Sequence, residues 1–227
     1  MSPLERPVWE SLTTHQASLS EGNALARRFA RDVNLFASAR DDSPQALAAL
    51  TELVPAGETV FLLQVPDNVI PPGLVVVRAA KGVQMVATRR VLSEPARAEI
   101  LTLGDADVPE MLALARLTEP GPFLPRTHTM GTFLGVRIGG RLAAMAGERM
   151  HFPGYTEVSG VCTHPDFRGR GLARCLSAAV NTRIEARGER PFLHAWKNNH
   201  AAISLYEALG FTVRAEVNVA VLERMGD

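Results

Sequence analysis

The clearest periodicity of apolar positions lies in the second half of the chain. Its apolar residues are Leu172, Leu176, Ala179, Val180 and Ile184. Residues three and four positions apart share one face of an α-helix, so this spacing predicts a helix that begins at Leu172. Gly188 suits a left-handed stop, which places the end of the helix near Arg187.

Shorter helices are predicted from similar signals. Ser43 and Pro44 suit the start of a helix, and a run rich in Ala and Leu follows them over residues 45–53. Residues 107–117 and 201–209 also combine apolar spacing with a suitable start or a closing glycine.

Apolar and β-branched runs bounded by Gly or Pro predict strands. In the first part of the chain these runs are residues 59–63, 74–77 and 83–86. In the second part they are residues 99–103, 132–138, 141–150, 156–163, 192–196, 211–213 and 217–222. The pair Gly139-Gly140 suits the positive φ angles of a two-residue hairpin turn. The element order predicts an α+β fold in which helices pack on one twisted sheet.

A proline-containing segment, residues 92–97, separates two parts of the chain with different textures. We therefore predict a smaller N-terminal α/β domain over residues 1–94 and a larger domain over residues 95–227. A chain of 227 residues has room for both.

The charge balance disfavours several function classes. Lys plus Arg and Asp plus Glu both number 24, so no net charge draws the chain to nucleic acid or to an anionic membrane, and we expect neither as a partner. The two cysteines, Cys162 and Cys175, lack metal-ligand spacing, so we expect reduced thiols and no metal. The sequence shows no signal-peptide pattern and no apolar stretch of membrane-spanning length, which predicts a cytoplasmic protein.

A glycine-rich turn precedes the helix that begins at Leu172. Its sequence is Arg168-Gly169-Arg170-Gly171-Leu172-Ala173, followed by Arg174. The first amides of a helix have no acceptor within the helix and lie at the positive end of its dipole, which suits a phosphate group. The glycines let an anion approach the main chain, and the arginines add positive charge. The alternative is a flexible turn without a ligand, because glycine is the commonest turn residue.

A second motif, Asn199 to Phe211, reads NHAAISLYEALGF. Together with the run from Val161 to Phe167 and the pattern Arg168-x-x-Gly171-x-Ala173, it resembles the two signatures of the GNAT acyltransferase superfamily over roughly residues 98–222. A nucleoside triphosphate loop is absent from the sequence, and the dinucleotide fingerprint is incomplete. The resemblance implies a GNAT-like fold with a mixed, mostly antiparallel twisted sheet flanked by helices.

The resemblance also implies acetyl-CoA as co-substrate. The residues that it places on this donor are Val161, Cys162 and Thr163 at a strand end, then Arg168, Gly169, Arg170, Gly171, Leu172, Ala173 and Arg174 at the helix start, and Asn199. Asn199 is also suited to capping the helix that follows it. Cys162 would act through its main chain, since no base is indicated that would make its thiol a nucleophile.

By the same resemblance, an amine attacks the thioester directly, and Tyr206 is similar to the general acid that gives a proton to the departing thiolate. An amphipathic core tyrosine is the alternative. The general base stays open between Glu157 and His194, a strand glutamate and an imidazole suited to proton transfer near neutral pH. Strand alternation predicts that the Glu157 side chain points the same way as those of Ser159, Val161 and Thr163. The loop 118–123 falls where the family builds its acceptor wall.

The leading functional hypothesis is acetyl transfer from acetyl-CoA to a primary amine of a small molecule or peptide. The alternatives are a catalytically silent acyl-CoA-binding sensor and an acyltransferase that uses a longer acyl-CoA. Residues 1–94 loosely echo half of such a domain without the phosphate site, so we interpret them as a degenerate copy or a cap. The resemblance leaves a homodimer open.

Overall fold

The computed structural model describes residues 2–89 and 99–225. The α-helices in this part are α1 (Pro7–Thr13), α2 (Pro44–Glu52), α3 (Val108–Thr118), α4 (Leu172–Ala186) and α5 (His200–Ala208). The strands are β1 (Ser20–Gly22), β2 (Ala26–Phe29), β3 (Ala37–Ala39), β4 (Thr59–Gln64), β5 (Leu74–Ala87), β6 (Leu101–Leu103), β7 (Phe133–Ile138), β8 (Arg141–Phe152), β9 (Tyr155–Thr163), β10 (Arg190–Trp196) and β11 (Phe211–Arg224).

One large sheet organises the fold. Its strand order is β4-β11-β5-β10-β9-β8-β7-β6, and a small sheet β1-β2-β3 lies outside it. The pairing of β9 with β10 is parallel, whereas the other neighbours in the large sheet are antiparallel. Gly139 and Gly140 join β7 to β8 with φ angles of 58° and 80°, as the hairpin prediction requires. The mixed, mostly antiparallel sheet confirms the predicted α+β fold class.

Two predicted strand pairs are each one long strand. The runs 74–77 and 83–86 both belong to β5, and the runs 211–213 and 217–222 both belong to β11. The physical reason is that β5 and β11 pair with each other almost end to end, so the less apolar residues between the runs stay in the ladder. At Gly82, which resembles a turn residue in the sequence, a Cβ would lie 2.9 Å from the carbonyl oxygen of Ala195, so close strand packing explains the glycine.

The large sheet crosses the boundary that we predicted at residue 94. β4 and β5 precede that residue, yet β5 lies between β10 and β11 and β4 forms the edge beside β11. A strand in the middle of a sheet needs a partner on each side, so β5 completes the sheet of the second part of the chain. The predicted boundary therefore does not separate two sheets, and the connector 92–97 lies outside the described residues.

Helices cover both faces of the large sheet. On one face, Leu176 and Ile184 of α4 and Leu209 after α5 pack in a single apolar cluster. On the other face, α1 packs through Val8 and α3 packs through Met111. Among the described residues, no helix combines the length and the apolar character that crossing a membrane requires.

Candidate active site

The parallel strands β9 and β10 separate part of the way along their length. Their paired positions end at Glu157 and Phe192, whereas β9 continues to Thr163 and β10 continues to Trp196. A cavity of about 240 Å³ lies at this opening. Tyr206 from one face of the sheet and Phe36 and Leu63 from the other face line it, so the cavity passes between the two strands. Within residues 2–89 and 99–225, one edge of β9 therefore has no strand partner beyond Glu157.

A bulge in β9 changes the direction of the side chains along this edge. The register with β8 runs from Ser159 opposite Gly147 to Cys162 opposite Met145, so β9 has one extra residue there. Gly160 lies in this bulge with a φ of +62°. The prediction that Val161 and Thr163 share the side-chain direction of Glu157 is therefore wrong, because strict alternation stops at Ser159.

The start of α4 presents a run of unpartnered amides. Within the described residues, the first helical hydrogen bond is donated by the Cys175 amide to the carbonyl of Gly171, and the amides of residues 169–174 have no acceptor. Gly169 and Gly171 both have a φ of +75°, and the position of a Cβ on either is open. Both the free donors and the dipole of a fifteen-residue helix favour an anion here.

Three predicted arginines surround this turn. Arg170 lies over the ring of Phe167 at 5.3 Å, and the Nε of Arg168 lies 3.5 Å from the carbonyl oxygen of Thr163. Arg174 is exposed on the first turn of α4. Together with the free amides, these side chains can hold the diphosphate of a nucleotide-like ligand.

Helix α5 brings Asn199 and Tyr206 to the cavity. The Asn199 Oδ1 accepts a hydrogen bond from the amide of Ala202 at 3.1 Å, so this side chain caps the helix as the alternative interpretation predicts. Its Nδ2 donates no hydrogen bond within the described residues. Burial, together with the negative charge of Glu157, raises the pKa of Tyr206 to about 12, so its hydroxyl is protonated at neutral pH.

Glu157 is fully buried, and both of its oxygens are occupied. The Arg149 Nε donates to Oε2 at 2.8 Å and the Nη2 donates to Oε1 at 2.6 Å, while His194 Nδ1 lies 2.7 Å from Oε1. Burial alone would raise the pKa of this carboxyl, but the charge and hydrogen bonds of Arg149 and the hydrogen bond from His194 lower the pKa to about 2. Glu157 is therefore ionised, and its acceptor sites are filled by the protein.

The tautomer of His194 follows from its second neighbour, Gln84. Arg214 can only donate, and its Nη1 lies 3.0 Å from Oε1 of Gln84; the Gln84 Nε2 in turn donates to the carbonyl oxygen of Leu4 at 2.9 Å. The same Nε2 lies 3.1 Å from Nε2 of His194, which must then be the acceptor. The imidazole is thus neutral in this arrangement, with its proton on Nδ1 facing Glu157.

Cys162 has an environment that suppresses its chemistry. Its side chain is buried in the apolar cluster that packs α3 on the sheet. Burial raises the pKa of this thiol to about 11, so the thiol stays protonated at neutral pH and is a poor nucleophile. The expectation that any role of Cys162 belongs to its main chain agrees with this environment.

Sequence reasoning missed several residues of the site. The cavity is lined in addition by Arg149 and Phe36, and by Phe61 and Leu63 of β4, and Gln84 sets the proton position of His194. Arg149 offered one signal, because it and its neighbour Glu148 are charged residues that follow the apolar run 142–147 of the same strand. The loop 118–122 also lines the cavity, where the acceptor wall was expected.

A helix start with unpartnered amides, beside two parallel strands that separate, defines a class of fold suited to a phosphate-bearing ligand. Comparison with known proteins identifies the family. The family model of FR47-like proteins matches residues 133–220. No curated protein matches the chain significantly in sequence.

The chain is similar over its whole length to solved structures. One is a protein of the GNAT family from Novosphingobium aromaticivorans, described as an acetyltransferase, with 44% identity, a TM-score of 0.93 and complete coverage of both chains. A GCN5-related N-acetyltransferase from Kribbella flavida is 18% identical with a TM-score of 0.67, and covers 100% of this chain and 97% of its own. A GCN5-related N-acetyltransferase-like protein from Streptococcus suis is 15% identical with a TM-score of 0.61, over 96% and 92% of the two chains. The last two show the fold alone, whereas the first shows that this chain belongs to the GNAT family of acetyltransferases.

Proposed function

We propose that this protein transfers an acetyl group from acetyl-CoA to a primary amine of a small molecule or peptide. The observation that carries the proposal is the run of unpartnered amides at residues 169–174, next to the free edge of β9. The amides and arginines hold the donor diphosphate, and the edge at Val161, Cys162 and Thr163 offers main-chain groups to the amides of the pantetheine arm. The free Nδ2 of Asn199 adds one further donor.

Bound in this way, acetyl-CoA supplies a thioester carbonyl at the opening between β9 and β10. The residues around the cavity hold the amine in line with that carbonyl, an effect worth up to about 7–11 kcal/mol in well-oriented reactions. Tyr206 lines the same cavity with a protonated hydroxyl, so it gives a proton to the departing thiolate. No covalent enzyme intermediate is needed, which agrees with the inert environment of Cys162.

The two candidates for the general base take different roles. Glu157 lies outside the cavity lining and its oxygens are filled, so it positions His194 and balances the charge that His194 gains. His194 lines the cavity and takes the amine proton at Nε2 once the Gln84 amide moves off that nitrogen. Undiminished turnover by His194→Gln would refute this assignment.

Calorimetry with CoA and with acetyl-CoA tests the donor site. The matched variant is Ala173→Pro, which removes one free amide in the first helical turn, where proline is tolerated and α3 already carries Pro109. One charge-assisted hydrogen bond is worth about 1.5–3 kcal/mol, so we expect binding to weaken about 10- to 100-fold with little change in melting temperature. A folded wild-type protein that ignores both ligands at millimolar concentration would overturn the proposal.

A turnover assay distinguishes acetyl transfer from the two alternative functions. A silent acyl-CoA sensor would bind the donor and acetylate no amine. Tyr206 favours catalysis over this alternative, because it is buried and its hydroxyl forms no hydrogen bond with the described residues. Comparing acetyl-CoA with hexanoyl-CoA and octanoyl-CoA decides whether a longer acyl group is the true substrate. We propose acetyl because the cavity of about 240 Å³ has to hold the acceptor as well as the acyl group.

A further inference from the structure

We propose that Arg149 selects amine acceptors that carry a carboxylate. This inference rests on the proposed acetyl transfer and specifies its acceptor class. Arg149 lies on β8, lines the cavity and has a side chain that is only 10% exposed. The N–H donors of a buried cation need acceptors, and Glu157 accepts from only two of the five N–H groups of Arg149.

The guanidinium has two edges, each able to donate two parallel hydrogen bonds to a carboxylate. Glu157 occupies the edge formed by Nε and Nη2. In the described residues, the Nη1 group of Arg149 donates no hydrogen bond, so the edge formed by Nη1 and the second hydrogen of Nη2 is free. An oxygen-bearing ligand in the cavity can therefore complete the hydrogen bonds of a buried arginine.

Packing fixes the direction of this free edge. The Cζ of Arg149 lies 4.8 Å from the centroid of the Phe36 ring, and Glu157 holds the guanidinium from the side. Nη1 lies 3.8 Å from the position that a Cβ would take on Gly121, in the loop that lines the cavity. Because Phe36 and Glu157 already hold the side chain, little rotamer freedom is lost when a ligand binds to it.

Charge and size favour a carboxylate over a phosphate. Glu157 already balances the charge of Arg149, so a monoanion is accommodated at a lower cost than a dianion. The cavity of about 240 Å³ has apolar walls at Phe36, Phe61 and Leu63, which suit the hydrocarbon part of a small amino acid. The acceptor class is therefore an amine with a carboxylate attached to a short apolar body.

Wild-type kinetics test this directly. The acceptors are glycine, 4-aminobutanoate, leucine and phenylalanine, each compared with its amide and its decarboxylated amine, with rates referred to the unprotonated amine. Phosphoethanolamine serves as the phosphate arm. A bidentate arginine–carboxylate pair should raise kcat/KM about tenfold or more for at least one carboxylate over both of its analogues, mainly through KM.

The variant Arg149→Lys keeps a positive charge beside Glu157 but loses the planar guanidinium that can donate two parallel hydrogen bonds to a carboxylate. We expect it to remove the preference for the carboxylate: kcat/KM should fall about tenfold or more further for the carboxylate than for its decarboxylated amine, because a loss that acts through Glu157 and His194 lowers both rates alike, while CoA affinity is unchanged. The matched control is Arg137→Lys, because Arg137 pairs with Asp107 and Glu110 away from the cavity lining. The control should keep the preference.

The outcomes separate this inference from the proposed function. No turnover with any amine, or no binding of CoA, overturns both. Turnover in which the amides or decarboxylated amines match their carboxylates, or in which phosphoethanolamine is preferred, overturns the carboxylate preference alone. If Arg149→Lys does not fold, the wild-type panel still decides the question.

Discussion

His194 Nδ1 lies 2.7 Å from Oε1 of Glu157, and this contact is one link in a row of polar side chains that crosses the sheet. The row runs from Arg149 on β8 through Glu157 on β9, His194 on β10 and Gln84 on β5 to Arg214 on β11. These are five neighbouring strands. Donors and acceptors match along the row, so each member fixes the orientation or the proton position of the next.

Glu157→Gln should destabilise the protein by about 3–5 kcal/mol at neutral pH, because it leaves the charge of Arg149 buried without a counter-ion. The pKa of Glu157 in the folded protein, about 2, lies below its ordinary value of 4.5. The contribution of this carboxylate to stability is therefore fully present above the unfolded pKa and is lost as the pH falls through the folded one. Urea denaturation of both proteins should show a gap that narrows as the pH falls from about 5 to about 2. A gap independent of pH in that range would contradict the ionised state of Glu157.

Tyr206→Phe should lower kcat about 100-fold or more, because it removes the proton donor for the leaving thiolate. The ring packs against Phe211 at a centroid distance of 6.0 Å, and phenylalanine keeps this contact. Calorimetric affinity for CoA should therefore stay within about twofold of wild type. Tyr155→Phe is the matched control, since Tyr155 lies at the start of β9 outside the cavity lining. Equal kcat in Tyr206→Phe and wild type would remove Tyr206 from the chemistry.

Local signals predicted the parts of the fold that depend on nearby residues. The helix at Leu172 and the turn at Gly139-Gly140 are set by spacing and by glycine conformations within a few positions, and the structure confirms both. β5 and β11 could not be read as single strands, because what keeps their less apolar residues extended is a partner far away in the sequence. The bulge at Gly160 likewise depends on the register with β8.

The same distinction holds for the site. The glycine-rich turn before α4 is a contiguous motif, so its unpartnered amides could be predicted from the sequence. The sequence could not decide which of Glu157 and His194 is the general base. The residues that distinguish them, Arg149 and Gln84, become their neighbours only through the strand order. Composition places no constraint on which strands become neighbours.

Glu119 has an unusual backbone conformation. It follows α3 with a φ of 48° and a ψ of 54°, and it is the non-glycine residue with a positive φ in the described part of the chain. An L-residue pays about 1–2 kcal/mol for this left-handed geometry, which glycine adopts freely. Glu119 lines the cavity, and its carboxylate has no hydrogen bond or ion pair with the described residues. Strain at a cavity residue suggests a functional reason to keep the side chain.

Glu119→Gly should therefore stabilise the protein and impair it at the same time. Relief of the strain, less the entropy cost of a new glycine, should raise the free energy of unfolding by about 0.5–1 kcal/mol. The control Ala113→Gly, at an exposed position inside α3, should lower it by about 1 kcal/mol. Glu119→Gly should also raise KM for the amine several-fold and leave CoA affinity unchanged, because it removes a negative charge from the cavity lining that attracts the ammonium form of the acceptor. Urea denaturation and steady-state kinetics measure the two effects separately, and a variant that is stabilised without any change in KM would limit Glu119 to its place at the end of the helix.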